Sequence, residues 1–304
     1  MGEVSEESKA LRKRIGHGSN LMKSRARVSD RLKGRTRKAK KTLGQHFLVD
    51  RTVLQRIIVA ADIAPNEQII EIGPGRGFLT SALLEKACSV KAIELDDKLA
   101  QDLRERFEGQ FKLEVVTADA RHIPLQRIAG EFDSYKVVAN LPYYAASPII
   151  RRFLEAENKP TAMVVLVQKE VAQNMVALPG KMGLLSVATQ LYGNPQIVAV
   201  IPPSAFKPPP KVTSALVRID LYSTPLLRLA SADSFFELVR AGFSSPRKQI
   251  HNGLGHALPL SPKSVISLLK SVHIDIARRP GTLTLEEWGC LHRAWRSLES
   301  TPSG

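Results

Sequence analysis

The chain has 304 residues, of which 43% are hydrophobic and 24% charged, a composition that excludes a disordered or fibrous protein. Its two cysteines lie far apart and have no histidine at ligand spacing, which excludes a disulfide scaffold or zinc finger and favours a reducing, cytoplasmic location. No apolar run approaches the roughly 18 residues of a membrane-spanning helix, and the net charge of +15 indicates a polyanionic partner.

The positive charge is concentrated at the start of the chain. Residues 1–41 hold 14 Lys and Arg against four acids, a net of +10, whereas the other 263 residues carry +5. This composition predicts a basic, disordered extension. Two interpretations of the extension are equally compatible with it: an arm that neutralises the phosphates of a nucleic acid, or a solvated leader without a role. A secretory signal is not expected because no apolar segment follows the charges, and Glu3, Glu6 and Glu7 count against a transit peptide.

Alternating strand-like and helical patterns predict an α/β domain over 42–220, with a parallel sheet covered by helices on both faces. The strand-like runs are 68–72, 90–95, 113–117, 135–139, 162–167, 198–201 and 214–221. The helical patterns between them are 78–86, 97–107 and 149–156. Helices at 235–243, 264–272 and 285–298 then predict a small helical domain over 221–304, with Trp288 and Trp295 in its core.

A glycine-rich turn follows the first predicted strand. Gly73, Gly75 and Gly77 have the spacing GxGxG, whereas the dinucleotide fingerprint GxGxxG would need a glycine where this chain has Phe78. Glycine lets the backbone approach a ligand closely and opens the following helix N-terminus toward it. The spacing is typical of proteins that bind S-adenosylmethionine (AdoMet), which has no pyrophosphate to hold.

Two acids lie at the ends of the next two predicted strands. Glu94 and Asp119 come at the carboxyl ends of these strands, where open α/β sheets bind their ligands. A carboxylate at Glu94 can accept hydrogen bonds from both ribose hydroxyls, and Asp119 can accept one from an adenine amino group. Together with the turn they predict an AdoMet site; the alternative is a turn that only packs a strand against a helix.

The segment Asn140-Leu-Pro-Tyr143 follows the fourth predicted strand. The exocyclic amine of a nucleobase is a poor nucleophile, since its lone pair is delocalised into the ring. The Asn140 side-chain carbonyl and the next backbone carbonyl can accept the amine hydrogens, while Pro142 stiffens the turn without adding an N–H. Tyr143 can stack on an extruded base, a contact worth roughly 1–3 kcal/mol. The motif predicts methyl transfer to an amino nitrogen; the alternative is an Asn that only caps the next helix.

Four segments together resemble one family. Residues 41–48, the glycine turn, Asn140–Tyr143 and Phe206–Ser214 are similar to the ribosomal RNA adenine dimethyltransferases, and most similar to their KsgA-type branch. The resemblance covers roughly 38–298 and implies an AdoMet-dependent Rossmann-like domain with a small C-terminal helical domain. It also implies N6,N6-dimethylation of two adjacent adenosines in the 3′-terminal hairpin loop of small-subunit (16S) rRNA, during small-subunit biogenesis. The implied partner is this RNA or the immature subunit, and the implied enzyme is a monomer without metal or membrane association.

The resemblance also assigns residues. It implies cofactor contacts at His46, Leu48, Gly73, Gly75, Glu94, Asp119 and Asn140. It implies catalytic roles for Asn140, Tyr143 and Phe206, with the two rings enclosing the target adenine. Contacts to RNA are expected at Lys211, Arg247 and Lys248. The predicted reaction is direct in-line transfer from the sulfonium to the amine, driven by positioning and dipoles, with no metal and no covalent enzyme intermediate.

Three other functions compete with this one. A large-subunit rRNA adenine methyltransferase of the antibiotic-resistance type shares the turn and the Asn-x-Pro-Tyr motif, but the Tyr143–Tyr144 pair and the 206–214 segment favour the small-subunit branch. A non-catalytic assembly or transcription factor on the same fold is disfavoured because Glu94, Asp119 and Asn140 are intact. A DNA adenine methyltransferase is disfavoured because no sequence-reading domain is evident.

Overall fold

The computed structural model describes residues 45–299, so the predicted basic extension over 1–41 lies outside the described residues. A mixed sheet of seven strands has the order β4-β3-β2-β5-β6-β9-β7, and a short two-stranded ladder pairs β1 with β8. The strands are β1 (Phe47–Leu48), β2 (Gln68–Ile72), β3 (Ser89–Glu94), β4 (Leu113–Thr117), β5 (Tyr135–Asn140), β6 (Ala162–Gln168), β7 (Gly193–Ile201), β8 (Phe206–Lys207) and β9 (Ser214–Leu221).

Eleven α-helices are described within residues 45–299. They are α1 (Arg51–Ala61), α2 (Phe78–Leu84), α3 (Asp97–Arg106), α4 (Leu125–Ala129), α5 (Ala146–Leu154), α6 (Lys169–Met175), α7 (Leu184–Tyr192), α8 (Ala232–Phe243), α9 (Ile250–Ala257), α10 (Pro262–Ser271) and α11 (Leu285–Glu299). The patterns did not predict α1, α4, α6, α7 or α9. The reason is clear for α4, since five residues are too few to establish a helical repeat.

The first five strands of the large sheet are parallel, as predicted. The last two had no predicted orientation. β9 inserts between β6 and β7 and runs antiparallel to both, so the complete sheet is mixed. Because β2 lies between β3 and β5, with Ile72 level with both Ile93 and Ala139, three neighbouring strands end side by side. This edge carries the site described below.

Side chains alternate between the two faces of the sheet, as the strand period of two requires. Ile70 and Val137 pack in one hydrophobic cluster, whereas Ile69 and Val138 pack in the other, beneath α1 and α2. The first cluster continues into the C-terminal helices, so these helices share a core with the sheet. Trp288 and Trp295 are buried in it, as predicted. The boundary placed between residues 220 and 221 stays a prediction.

Candidate active-site cleft

A cleft opens at the carboxyl ends of β2, β3 and β5. Its lining residues come from four parts of the chain, within 45–48, 71–79, 94–99 and 140–144. Ligands of open α/β sheets bind at such strand ends, where the loops of successive strands converge. Of the residues predicted to contact a cofactor, the cleft brings together His46, Leu48, Gly73, Gly75, Glu94 and Asn140.

The glycine turn forms one wall of the cleft. Gly73 and Gly75 have φ values of +70° and +55°, a conformation that side chains rarely adopt. A Cβ atom on Gly75 would lie 3.1 Å from the ring of Phe47, and one on Gly73 would lie 3.4 Å from the backbone oxygen of Asn140. The turn is therefore in close contact with the opposite wall, and larger residues would push the two walls apart.

Glu94 holds the turn in this shape. One of its carboxylate oxygens accepts from the backbone N–H of Gly75 at 3.0 Å, and the other accepts from the N–H of Asp96 at 3.0 Å. Burial raises the pKa of Glu94, and these backbone donors oppose that effect. A carboxylate has about four lone-pair sites, so Glu94 can still accept from a ligand while both backbone bonds persist.

Asn140 ends β5 and connects two walls of the cleft. Its Nδ2 donates to the backbone oxygen of His46 at 3.1 Å. Because Nδ2 is engaged as a donor to His46, Oδ1 is the atom left to accept hydrogens from a substrate. The 45–48 segment is fixed from its other side as well, since β1 pairs with β8 and His46 Nδ1 lies 2.8 Å from the oxygen of Pro208.

Tyr143 presents an aromatic ring at the rim. Its hydroxyl shares a hydrogen bond of 2.7 Å with the Oγ of Ser214, and its ring stacks against that of His46 with centroids 5.7 Å apart. Burial raises the pKa of Tyr143, so the phenol stays neutral at physiological pH. Anchored at its hydroxyl, the ring is a half-buried flat surface suited to stacking against a base.

Two residues predicted to contact the cofactor or the target adenine do not line the cleft. Asp119 lies two residues beyond β4, and its carboxylate is occupied by the guanidinium of Arg121, with a closest contact of 2.6 Å. That ion pair lowers the pKa of Asp119. Phe206 is only 3% exposed and packs in the hydrophobic cluster beneath α1 and α2. The roles assigned to Asp119 and Phe206 stay predictions, and each would require a rearrangement of the side chains described here.

The predicted RNA contacts lie outside the cleft. Lys211 precedes β9, and Arg247 and Lys248 lie between α8 and α9; all three side chains are exposed. Exposed charge is compatible with a phosphate contact and equally with simple solvation. Their role therefore stays a prediction.

The sequence reasoning assigned no role to several lining residues. Phe47 and Tyr144 add aromatic surface, and Glu71 adds a second buried carboxyl. The signal for Glu71 was present, because a glutamate in the middle of an apolar strand needs an explanation. Phe47 gave no comparable signal, since its position depends on the long-range pairing of β1 with β8.

The cleft fits a cationic nucleoside ligand such as AdoMet. Gly73 and Gly75 offer backbone without side chains, and Glu94 offers acceptors for hydroxyls. Both carboxyl oxygens of Glu71 are buried without a hydrogen-bond partner among the described residues. An unpartnered acid of this kind favours a positively charged ligand. Within residues 45–299, no group of three or more His, Cys, Asp or Glu is placed to hold a metal ion.

Comparison with known proteins identifies the family. The family model for ribosomal RNA adenine dimethylase matches residues 36–288. The chain belongs to that family. This membership confirms the predicted enzyme class, an rRNA adenine methyltransferase, and it covers the glycine turn, the Asn140–Tyr143 motif and most of the C-terminal helices.

Curated relatives of the dimethylase agree with this assignment. The small-subunit rRNA methyltransferase A of Dehalococcoides mccartyi strain CBDB1 is 47% identical over 86% of this chain and 90% of its own. The protein of the same name from Alkaliphilus metalliredigens is 42% identical over 83% of this chain and 90% of its own.

Solved structures agree on the fold. The 23S rRNA methyltransferase ErmE is 28% identical, covers 82% of this chain and 98% of its own, and has a TM-score of 0.62. A dimethyladenosine transferase from Plasmodium falciparum is 26% identical, covers 83% of this chain and 98% of its own, and has a TM-score of 0.69. The predicted fold class, a Rossmann-like methyltransferase domain with C-terminal helices, is confirmed. No helix within residues 45–299 is long and apolar enough to span a membrane.

Proposed function

We propose that the enzyme uses AdoMet to dimethylate, at N6, two adjacent adenosines in the 3′-terminal hairpin loop of small-subunit rRNA. The observation that carries this proposal is the position of Asn140. Its free amide oxygen lies at the same strand edge as Glu94 and the glycine turn, on the opposite side of β2 from Glu94. An acceptor for an amine and a site for a nucleoside cofactor therefore share one cleft.

Each residue of the cleft has a role in this reaction. AdoMet, when bound, supplies an electrophilic methyl group. Glu94 would hold the ribose hydroxyls, and the turn around Gly75 would let the cofactor approach the backbone. Asn140 Oδ1 would accept a hydrogen of the adenine amine and orient its lone pair, while Tyr143 would stack on the extruded base.

Rate enhancement in this scheme comes from orientation rather than from acid–base chemistry. Fixed dipoles at the reacting centre stabilise a developing charge without reorganisation during the reaction. Asn140 is fixed by its bond to His46, and Tyr143 by its bond to Ser214. The amine loses a proton only after transfer, and solvent can accept it.

The small subunit is favoured over the large subunit as the RNA target. The curated relatives at 42% and 47% identity are named for the small subunit, whereas the 23S rRNA enzyme ErmE is 28% identical. Both targets demand the same chemistry at the adenine, so the cleft alone does not separate them. A cytoplasmic location, a monomeric state and a requirement for the immature subunit stay predictions.

Methylation of isolated ribosomal subunits tests the proposed function. The purified full chain is incubated with AdoMet and small or large subunits from cells that lack the enzyme, and nucleosides are mapped by mass spectrometry. We expect N6,N6-dimethyladenosine at two adjacent positions near the 3′ end of the small-subunit RNA, and none in the large-subunit RNA. Modification confined to the large subunit would contradict the proposed target, and modification of neither would contradict the proposed activity.

A further inference from the structure

Glu71 is the one carboxyl of the described cleft that the proposed reaction does not use. It lies on β2, two residues before Gly73, and only 1% of its surface is exposed. Both carboxyl oxygens lack a hydrogen-bond partner among the described residues, and so does the neighbouring hydroxyl of Thr80 on α2. An ionised carboxylate without partners is very costly to bury, whereas a protonated one costs much less.

The charged and titratable groups that line the cleft with Glu71 are few. They are His46 from the segment before β1, Arg76 from the glycine turn, Glu94 from β3, and Tyr143 and Tyr144 after β5. The Arg76 guanidinium lies over the ring of Phe47, 4.3 Å from its centroid. Of these groups, Glu94 acts on Glu71 directly, and its like charge also disfavours ionisation.

We propose that Glu71 is the counter-ion of the cleft: it is a neutral acid in the free protein, and it releases its proton to solvent when a positively charged ligand group binds. This inference rests on the proposed function, because AdoMet carries a sulfonium and an ammonium group. The O–H bond of the carboxyl breaks heterolytically, its electron pair stays on the oxygen, and the buffer takes the proton. Glu71 is thus a positioning residue that favours a cationic ligand.

The direction of the linkage follows from the local environment. Burial raises the pKa of Glu71 to about 8, and the like charge of Glu94 adds to this effect. The nearby polar groups of Thr80 oppose it, although they form no hydrogen bond of normal geometry with the carboxyl. The group is therefore mainly protonated at pH 7 in the free protein. A cation close to the carboxyl favours its ionised form, so ligand affinity should rise with pH below the pKa of the free protein and level off above it.

Proton release on binding tests the proposal. AdoMet is titrated calorimetrically into the full chain at pH 7 in two buffers that differ in ionisation enthalpy. We expect release of about one proton per AdoMet bound to the wild type, and almost none for Glu71→Gln. The matched control is Glu85→Gln, at an exposed position after α2, which should release as much as the wild type. Equal release by Glu71→Gln and wild type, or no release by wild type, would overturn the proposal.

S-Adenosylhomocysteine distinguishes the two cationic groups, because it keeps the ammonium and lacks the sulfonium charge. If protons are released on binding of AdoMet but not of S-adenosylhomocysteine, the sulfonium is the group that ionises Glu71. If protons are released on binding of either ligand, the ammonium is that group. Should Glu71→Gln fail to fold, the wild-type affinity alone decides, since it should rise about tenfold between pH 6 and pH 7; a flat profile would overturn the proposal. If AdoMet binds without proton release, only the counter-ion role of Glu71 is overturned. If AdoMet does not bind at all, the proposed function is overturned as well.

Discussion

Replacing Asn140 with alanine is expected to lower the single-turnover rate of methyl transfer by about 10²–10³-fold, the usual cost of removing one preoriented dipole from a reacting centre. The substitution removes the acceptor Oδ1 that would orient the adenine amine. It also removes the hydrogen bond of Nδ2 to His46, so the 45–48 wall loosens. A neutral hydrogen bond contributes about 1 kcal/mol, so AdoMet affinity should fall by roughly fivefold, far less than the rate.

Asn194 provides a matched control for this experiment. It is exposed at the start of β7, on the edge of the sheet, and Asn194→Ala should leave both rate and affinity unchanged. Rates are measured with saturating AdoMet and small ribosomal subunits, and AdoMet affinity is measured by calorimetry. An Asn140→Ala variant with the wild-type transfer rate would contradict the role given to Oδ1. Complete loss of AdoMet binding by the variant would show that Asn140 acts chiefly in binding the cofactor.

Glu94→Gln is expected to weaken AdoMet binding by at least about 100-fold. Each carboxylate oxygen of Glu94 accepts from a backbone N–H, one from Gly75 and one from Asp96. An amide keeps one acceptor and places an NH₂ group against the other backbone donor. The variant loses that hydrogen bond, leaves a buried backbone N–H without an acceptor and loses an acceptor for the ribose. Together these losses cost about 3 kcal/mol.

Calorimetry with AdoMet measures this effect, and circular dichroism establishes that the variant is folded. Glu85→Gln is the control, since its exposed side chain should leave the dissociation constant unchanged. A Glu94→Gln variant whose AdoMet affinity stays within threefold of wild type would contradict the role of Glu94 in shaping the turn and holding the cofactor.

Part of the cleft was predictable because local sequence patterns determine where its strands end. The apolar runs and the glycine spacing located the ends of β2, β3 and β5, and the ends of parallel strands must meet at one edge. The closeness of Glu94, Gly75 and Asn140 followed from that rule alone. The hydrogen bonds that join them did not, because they depend on side-chain conformations that no pattern encodes.

Contacts between distant parts of the chain were not predictable from residue patterns. The pairing of Phe47–Leu48 with Phe206–Lys207 spans more than 150 residues and involves only two residues on each side. It forms one wall of the cleft and at the same time buries Phe206 in the core. The ion pair of Asp119 with Arg121, only two residues away, was likewise not predicted, and the cofactor contact expected of Asp119 stays a prediction.

The central claim, that this strand edge holds a methyl donor beside Asn140, is tested most directly by a crystal structure of the full chain with S-adenosylhomocysteine. We expect the ligand between the glycine turn and the 45–48 segment, with its ribose hydroxyls within hydrogen-bond distance of Glu94 and its sulfur on the side of Asn140. A cleft without ligand density at saturating concentration, or a ligand bound elsewhere on the protein, would contradict the account.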